Sequence, residues 1–258
     1  MDNNNGRFVW HEFLAKDEKK AIAFYTDVAG WTTQPFPGGN DYTMWVGTQG
    51  PLGGVMRLPD EAERMGTPPN WMGHVQVEDV DAAAAKVKSL GGKVLKEPSD
   101  IPEVGRFAVI ADPQGAVISM FKPNAPMTLH DSSKAGEICW NELLTSDSAA
   151  AFKFHSQIFG WKILQEMDMG PMGTYRVFGV GDKQLGGMMT VPKGTPMPPM
   201  WFYYIETPSL DAALGRAKAD GAKLMNGPMD VPGGGRIAQL MDSQGGAFAL
   251  HQSPPKPH

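Results

Sequence analysis

Trp10-His11-Glu12-Phe13-Leu14 returns later in the chain as Trp140-Asn141-Glu142-Leu143-Leu144. The same offset carries Phe24-Tyr25 and Gly30-Trp31 onto Phe154-His155 and Gly160-Trp161, and Trp71 onto Trp201. It also carries Arg106 onto Arg236, and Asp112-Pro113-Gln114-Gly115 onto Asp242-Ser243-Gln244-Gly245. Between these anchors, Leu52-Gly53-Gly54-Val55-Met56 meets Leu185-Gly186-Gly187-Met188-Met189. A short insertion displaces that match, and it falls in a Gly/Pro-rich loop where insertions cost little. The chain is therefore an internal duplication. Its two domains are expected at residues 1–124 and 125–258.

Each half divides again. Phe8–Leu14 reads as a strand, aromatic and β-branched with polar flanks. Asp17 can cap a helix running to Val28, with an apolar stripe at Ala21, Phe24, Tyr25 and Val28, and Gly30 ends it. Short strands follow at Thr43–Val46 and Gly54–Leu58. A second round begins with a strand at Trp71–Val77 and a helix at Asp81–Leu90, stopped by Gly91-Gly92. Strands at Lys93–Leu95, Phe107–Ala111 and Val117–Phe121 complete it, the last two joined by a turn at Asp112-Pro113-Gln114-Gly115. The order strand, helix, two or three strands thus occurs four times, at 8–58, 71–122, 138–190 and 201–251.

Composition narrows the function. The chain of 258 residues is 41% hydrophobic and 20% charged, which is globular. Its net charge of -5 and the lack of a Lys/Arg cluster argue against nucleic acid or anionic membrane as partner. A single cysteine, Cys139, excludes an internal disulfide framework and reads as a small buried hydrophobe. No apolar run approaches the roughly 18 residues of a membrane span, and residues 1–7 are polar. A cytoplasmic protein, monomer or homodimer, is expected, with a frayed Pro-rich tail at 253–258.

The module order, the Phe24-Tyr25…Gly30-Trp31 helix end, Gly73-His74-Val75-Gln76-Val77, Gly91-Gly92 and Asp112-Pro113-Gln114-Gly115 resemble the glyoxalase I / bleomycin-resistance / extradiol dioxygenase superfamily, the vicinal oxygen chelate fold. The resemblance spans nearly the whole chain and is greatest to the two-domain, glyoxalase-like bacterial subgroup. It implies an α+β protein of four βαβββ modules in two tandem domains, each a curved mixed sheet around a cleft with helices outside. It implies a small-molecule ligand and, in many members, a divalent metal; no nucleotide cofactor is expected, since no phosphate loop is present.

Strand alternation and the resemblance together select candidates. His74 and Gln76 share the face opposite Val75 and Val77, and His74 falls where metal-binding relatives carry a ligand. The repeat sets Trp10 and Glu12 beside them. It gives Trp140, Glu142, Tyr204 and Glu206 in the second half, where His251 lies on the same face as Ala249. The family's carboxylate ligand falls at Ser119 in one half and at Ala249 in the other. Carried over in full, the ligand positions hold Trp10, Val55 or Met56, His74 and Ser119, then Trp140, Met188 or Met189, Tyr204 and Ala249. The standard site is thus expected to be absent. Rearranged sites drawn from His11, Glu12 and His74, or from Glu142, Glu206 and His251, remain as alternatives.

A carboxylate inside an apolar strand is costly unless paired or wet. Glu12 and Glu142 are therefore either structural ion pairs, for instance with Arg106 or Arg236, or desolvated general bases. In the enzyme reading, Glu12, His74 and Glu142 are catalytic and His74 is the candidate metal ligand. Trp10, Gln76, Ser119, Trp140, Tyr204, Glu206 and His251 then contact substrate. The activity would be glyoxalase-like, a lyase or isomerase, or of hydroxylase type. In the competing reading, Trp10, Trp140 and Met56, Met72, Met188 and Met189 wall an adaptable pocket that sequesters an antibiotic or metabolite without turnover.

Overall fold

Asp17 accepts a hydrogen bond from the Lys20 amide and starts helix α1 (Glu18–Ala29); Gly30, at φ 72, ends it in the left-handed conformation. The second half repeats this. Asp147 takes the Ala149 and Ala150 amides at the head of α4 (Ser148–Phe159), and Gly160, again at φ 72, closes it. The computed structural model describes residues 4–38, 42–195 and 197–254. Of the tail expected to fray, residues 255–258 lie outside the described residues.

The first half runs β1 (Phe8–Ala15), α1, β2 (Thr32–Pro35), β3 (Thr43–Gly47), β4 (Gly50–Arg57) and a short α2 (Asp60–Arg64). It continues with β5 (Asn70–Gln76), α3 (Val80–Ser89), β6 (Lys93–Ile101), β7 (Gly105–Ala111) and β8 (Val117–Pro123). The second half runs β9 (Ile138–Thr145), α4, β10 (Lys162–Asp168), β11 (Thr174–Val180) and β12 (Lys183–Thr190). It ends with β13 (Met200–Glu206), α5 (Leu210–Ala219), β14 (Lys223–Asp230), β15 (Arg236–Met241) and β16 (Ala247–Gln252).

Every expected element is present, and two strands and α2 are additional. All four residues of β2 are exposed, and β10 is nearly so, so neither carries the alternation that marks a half-buried strand. Helix α3 starts one residue earlier than expected, because Asp79 caps it and accepts from the Ala82 amide. Asp81 instead pairs with Arg106.

The strands form two eight-stranded sheets of the same order, β2-β3-β4-β1-β5-β8-β7-β6 and β10-β11-β12-β9-β13-β16-β15-β14. Both are mixed: β1/β4 and β5/β8 are parallel, while β3/β4 and β7/β8 are antiparallel. The fold is the α+β, tandem vicinal-oxygen-chelate arrangement.

Contacts gather the chain into two compact units that draw on both halves. One comprises Met1–Trp10, Met72–Leu129 and Trp140–Trp201; the other comprises His11–Trp71, His130–Cys139 and Phe202–His258. In the second unit, Trp71 Nε1 donates to Tyr25 Oη (2.8 Å), which donates to Asp242 Oδ2 (2.9 Å), all of it buried. Asp242 Oδ1 meanwhile accepts the Gln244 and Gly246 amides of its own turn. Gln244 makes two hydrogen bonds with the Asp17 backbone, and Arg216 caps the far end of α1 at the Asp27 and Val28 carbonyls. Burial pushes the Tyr25 hydroxyl well above its usual range, with Asp242 adding to it, so Tyr25 stays a donor.

The first unit repeats the device with a different residue. His155 Nε2 meets Asp112 Oδ2 at 3.2 Å, and Asp112 Oδ1 takes the Gln114, Gly115 and Ala116 amides. Each unit also contains a glycine bulge. Gly6 and Arg7 together oppose Gln76, and Gly136 and Glu137 oppose Glu206. Both glycines have positive φ, 78 and 85, which an L side chain adopts rarely. Trp161 Nε1 donates to the Gly6 carbonyl (2.6 Å) and Trp31 Nε1 to the Gly136 carbonyl (2.7 Å).

Replacing Tyr25 by Phe leaves the buried Trp71 N–H and Asp242 Oδ2 without their common partner. Tyr25→Phe should destabilise by about 3 kcal/mol, read as a lower urea midpoint. Arg106→Ala, which removes only exposed ion pairs, should barely move it.

Candidate functional site

Phe13 packs edge-on against Tyr25 of α1, with ring centroids 5.1 Å apart, so Glu12 lies on the opposite face of β1. By the same alternation His74 and Gln76 face away from Val75, which is fully buried. His74 is buried, stands edge-on to Phe121 at 6.3 Å and is in register with Ser119. Ser119 Oγ, also buried, donates to the Ala108 carbonyl. Trp10, His74, Gln76, Ser119, Trp140 and Glu142 fall in the first unit, and Glu12, Tyr204, Glu206 and His251 in the second. His11 packs edge-on against Tyr203 (5.0 Å), on the face away from Glu12.

The methionines divide by face. Met188 is fully buried in register with Leu143, so it is core; Met189 is its neighbour on the other face and is half-buried.

In the first unit Glu142 has a built environment. Tyr175 Oη donates to Glu142 Oε1 (2.9 Å) and accepts from Trp140 Nε1 (2.8 Å). Burial raises the Tyr175 hydroxyl well above its usual range, and Glu142 adds to that, so the phenol keeps its proton. Glu142 is in register with Gly187, and a Cβ there would sit 2.0 Å from Tyr175 Oη. The glycine makes room for the tyrosine over the strand. In the second unit a Cβ on Gly54 would likewise meet Tyr42 Oη at 2.0 Å, and Gly54 is in register with Glu12.

The glycine pairs look like strand irregularities in the sequence, yet their role here is to seat these two tyrosines. Neither tyrosine stands out in the sequence alone. The signal was present, since Tyr42 and Tyr175 recur at the offset of the glycine pairs. Arg106 and Arg236 are not partners of the strand glutamates: Arg106 binds Asp81 and Asp100, and Arg236 binds Asp211, all at the surface.

In the second unit three side chains from three strands converge. Cys139, Glu206 and His251 place their sulfur, oxygen and nitrogen within 4.8 Å of one another. His251 Nδ1 is hydrogen-bonded to Glu206 Oε2 (2.5 Å), and Glu206 Oε1 accepts the Ser253 amide (2.9 Å). Burial lifts the Glu206 carboxyl, but the hydrogen bonds from His251 and Ser253 outweigh it and hold the group below its usual range. Burial, then Glu206, pushes the Cys139 thiol well up, so it is no activated nucleophile. Beside this cluster, Tyr204 Oη accepts from Gln239 Nε2 (2.8 Å), whose Oε1 accepts from Asn226. Glu142, grouped with Glu206 and His251 in the sequence, belongs instead with Tyr175 and Trp140. Sequence reasoning missed Cys139 as their neighbour, and no local pattern marks it.

The ligand positions implied by the resemblance do not fit a metal. Val55 and Met188 face the core, leaving Trp10, Met56, His74 and Ser119 in one half and Trp140, Met189, Tyr204 and Ala249 in the other. His74 is the one conventional ligand among them.

Comparison with known proteins agrees with the fold. The Glyoxalase/Bleomycin resistance protein/Dioxygenase superfamily profile matches residues 138–250, and a glyoxalase-like domain profile matches residues 10–121. CFP32 of Mycobacterium tuberculosis, provisionally named a glyoxylase, is 32% identical over 96% of this chain and 95% of its own. The anthracycline biosynthesis protein DnrV of Streptomyces peucetius is 28% identical over 95% and 92%. The Mn(II)-bound glyoxalase of Novosphingobium aromaticivorans shares the fold with a TM-score of 0.65 at 16% identity, covering 98% of this chain and 83% of that one. A 2,2',3-trihydroxybiphenyl 1,2-dioxygenase of Sphingomonas wittichii does so with a TM-score of 0.67 at 13% identity, over 96% and 91%. Among the described residues no helix is long and apolar enough to cross a membrane.

Gly187→Ala should drive Tyr175 from its seat and cost about 1–3 kcal/mol, with a change in Trp fluorescence from Trp140. Gly215→Ala, in the middle of α5 with open space around it, should instead stabilise by about 0.8 kcal/mol. Thermal melts of the two variants would show shifts of opposite sign.

Proposed function

The chain belongs to the glyoxalase/bleomycin resistance/dioxygenase superfamily, and from that premise we propose an enzyme that binds a small oxygenated organic molecule on the strand face bearing Trp140 and Glu142, and moves a proton with Glu142. The observation that carries this reading is the Trp140–Tyr175–Glu142 chain. Glu142 is buried in mid-strand, and Tyr175 fixes one of its oxygens in place. A carboxylate so held can take a proton from carbon next to a carbonyl and return it to the neighbouring atom, which is the isomerase or lyase chemistry expected of a glyoxalase-like protein. Because Tyr175 keeps its own proton, it orients the base without competing for the substrate's. Trp10 and Trp140 are half-buried and supply apolar walls for a ligand. Glu12, in register with the glycine that seats Tyr42, is the matching base of the other unit. His74, Gln76, Ser119 and Tyr204 are substrate contacts, and they set the two sites apart.

A relative named for anthracycline biosynthesis favours an aromatic polyketide as one substrate class, and the provisional glyoxylase name favours a thiol adduct of an α-oxoaldehyde. A second reading, sequestration without turnover, draws on the same aromatic walls. The test uses both probes: an anthracycline aglycone, and methylglyoxal premixed with a low-molecular-weight thiol. Binding is read by Trp quenching and conversion by mass spectrometry. Glu142→Gln should retain binding and lose turnover by roughly 10² to 10⁴-fold. Binding of either probe with no conversion would establish sequestration instead. Unchanged turnover in Glu142→Gln would remove Glu142 from the chemistry.

A further inference from the structure

The duplication provides an internal control. Cys139, Glu206 and His251 occupy the positions of Val9, Gln76 and Phe121 in the first half. The same scaffold is therefore built there without a thiol, a carboxylate or an imidazole at any of the three places. In the second half all three places hold metal-ligating types, and the fold brings them together from β9, β13 and β16 with ligand atoms within 4.8 Å. These are not the family's ligand positions, which in this half hold Trp140, Met189, Tyr204 and Ala249. We propose that Cys139, Glu206 and His251 form a separate binding site for a borderline-soft divalent transition metal, Zn²⁺ or Co²⁺.

The donor set selects the ion. One sulfur, one nitrogen and one oxygen suit Zn²⁺ or Co²⁺, whereas Mg²⁺, Ca²⁺ and Mn²⁺ favour all-oxygen sites. The surrounding groups hold Glu206 and His251 in place, as supporting groups do at metal sites, and the Cys139 thiol donates to the Tyr204 carbonyl (3.3 Å). The Ser253 amide binds Glu206 Oε1 and leaves Oε2 directed at His251. The Gly136 bulge pairs with both backbone groups of Glu206. Gly235 gives the His251 ring its space, since a Cβ there would lie 2.6 Å from Nε2. The metal replaces the thiol proton of Cys139, which is released, and takes the place of the proton between His251 Nδ1 and Glu206 Oε2, which moves to His251 Nε2 so that the imidazole ligates as the neutral ring. Three protein ligands leave a fourth position for water or a ligand oxygen.

The test uses the full chain after chelator treatment, titrated with Co²⁺ alone. One equivalent should bind with a thiolate-to-cobalt charge-transfer band in the near ultraviolet. Cys139→Ser should lose that band and His251→Ala should lose tight binding, while His74→Ala should change neither. A measurement on the unaltered chain guards against misfolded variants. Cys139 is its only cysteine, so alkylation read by mass spectrometry should slow when Zn²⁺ is present. Co²⁺ bound without the band, a band that survives Cys139→Ser, or alkylation indifferent to Zn²⁺ would each overturn the site. None of these readouts depends on turnover, so their failure leaves the role of Glu142 untouched, and the reverse holds.

Discussion

The buried aspartate of each Asp-x-Gln-Gly turn is the interaction on which both units rest. Asp242 spends one oxygen on its own turn and the other on Tyr25, a residue from the opposite half of the chain. Asp112 does the same with His155. A carboxylate at this depth is tolerable only when both oxygens are occupied. Burial raises the Asp242 carboxyl above its usual range even with four hydrogen bonds lowering it. The constraint reaches further through the same turn, since Gln244 holds the start of α1 and Gly246 leaves space for Phe13. Each half thus completes its packing with a turn and helix taken from the other. A duplicated chain can assemble in this way where two separate copies would have to meet.

These tertiary roles explain what the sequence discloses and what it withholds. Caps, helix stripes and turns are local, so Asp17, Asp147, Gly30 and Gly160 are read from their neighbours alone. The repeat makes the topology legible because a copied module copies its fold. A strand with no buried side offers no period, and β2 and β10 are hidden for that reason. The bulge at Gly6 sits in a polar, Asn-rich segment with no strand pattern of its own; its twin at Gly136 lies between β8 and β9. Only the structure shows each as the acceptor of a buried tryptophan.

The candidate site was legible in type but not in partnership. Alternation placed Glu12, His74, Glu142 and Glu206 on strand faces without saying what each touches. Arg106 and Arg236, the obvious counter-ions by repeat, are held at the surface by Asp81 and Asp211 through short-range pairs. The true partner of Glu142 is a neutral phenol, which charge matching cannot suggest. Cys139 reads as a hydrophobe in the sequence because lone cysteines are usually buried. That holds for its environment but omits two neighbours far along the chain.

Comparing the halves separates support from chemistry. Tyrosine over glycine beside a strand glutamate occurs in both, at Tyr42, Gly54 and Glu12 and at Tyr175, Gly187 and Glu142. A feature kept twice serves something common to both sites. The differences gather elsewhere: His74 against Tyr204, Ser119 against Ala249, Gln76 against Glu206, Phe121 against His251. Each replaces one hydrogen-bonding or apolar character by another on the same strand face while the surrounding core stays apolar. Packing alone would not favour a buried Glu206 over Gln76, because a carboxylate costs more to bury than an amide. The extra cost is offset by His251 and the Ser253 amide, both peculiar to the second half. The two halves therefore share a frame and a strand glutamate but differ on the strand face around it, and the second holds a buried carboxylate at Glu206 where the first holds the amide of Gln76.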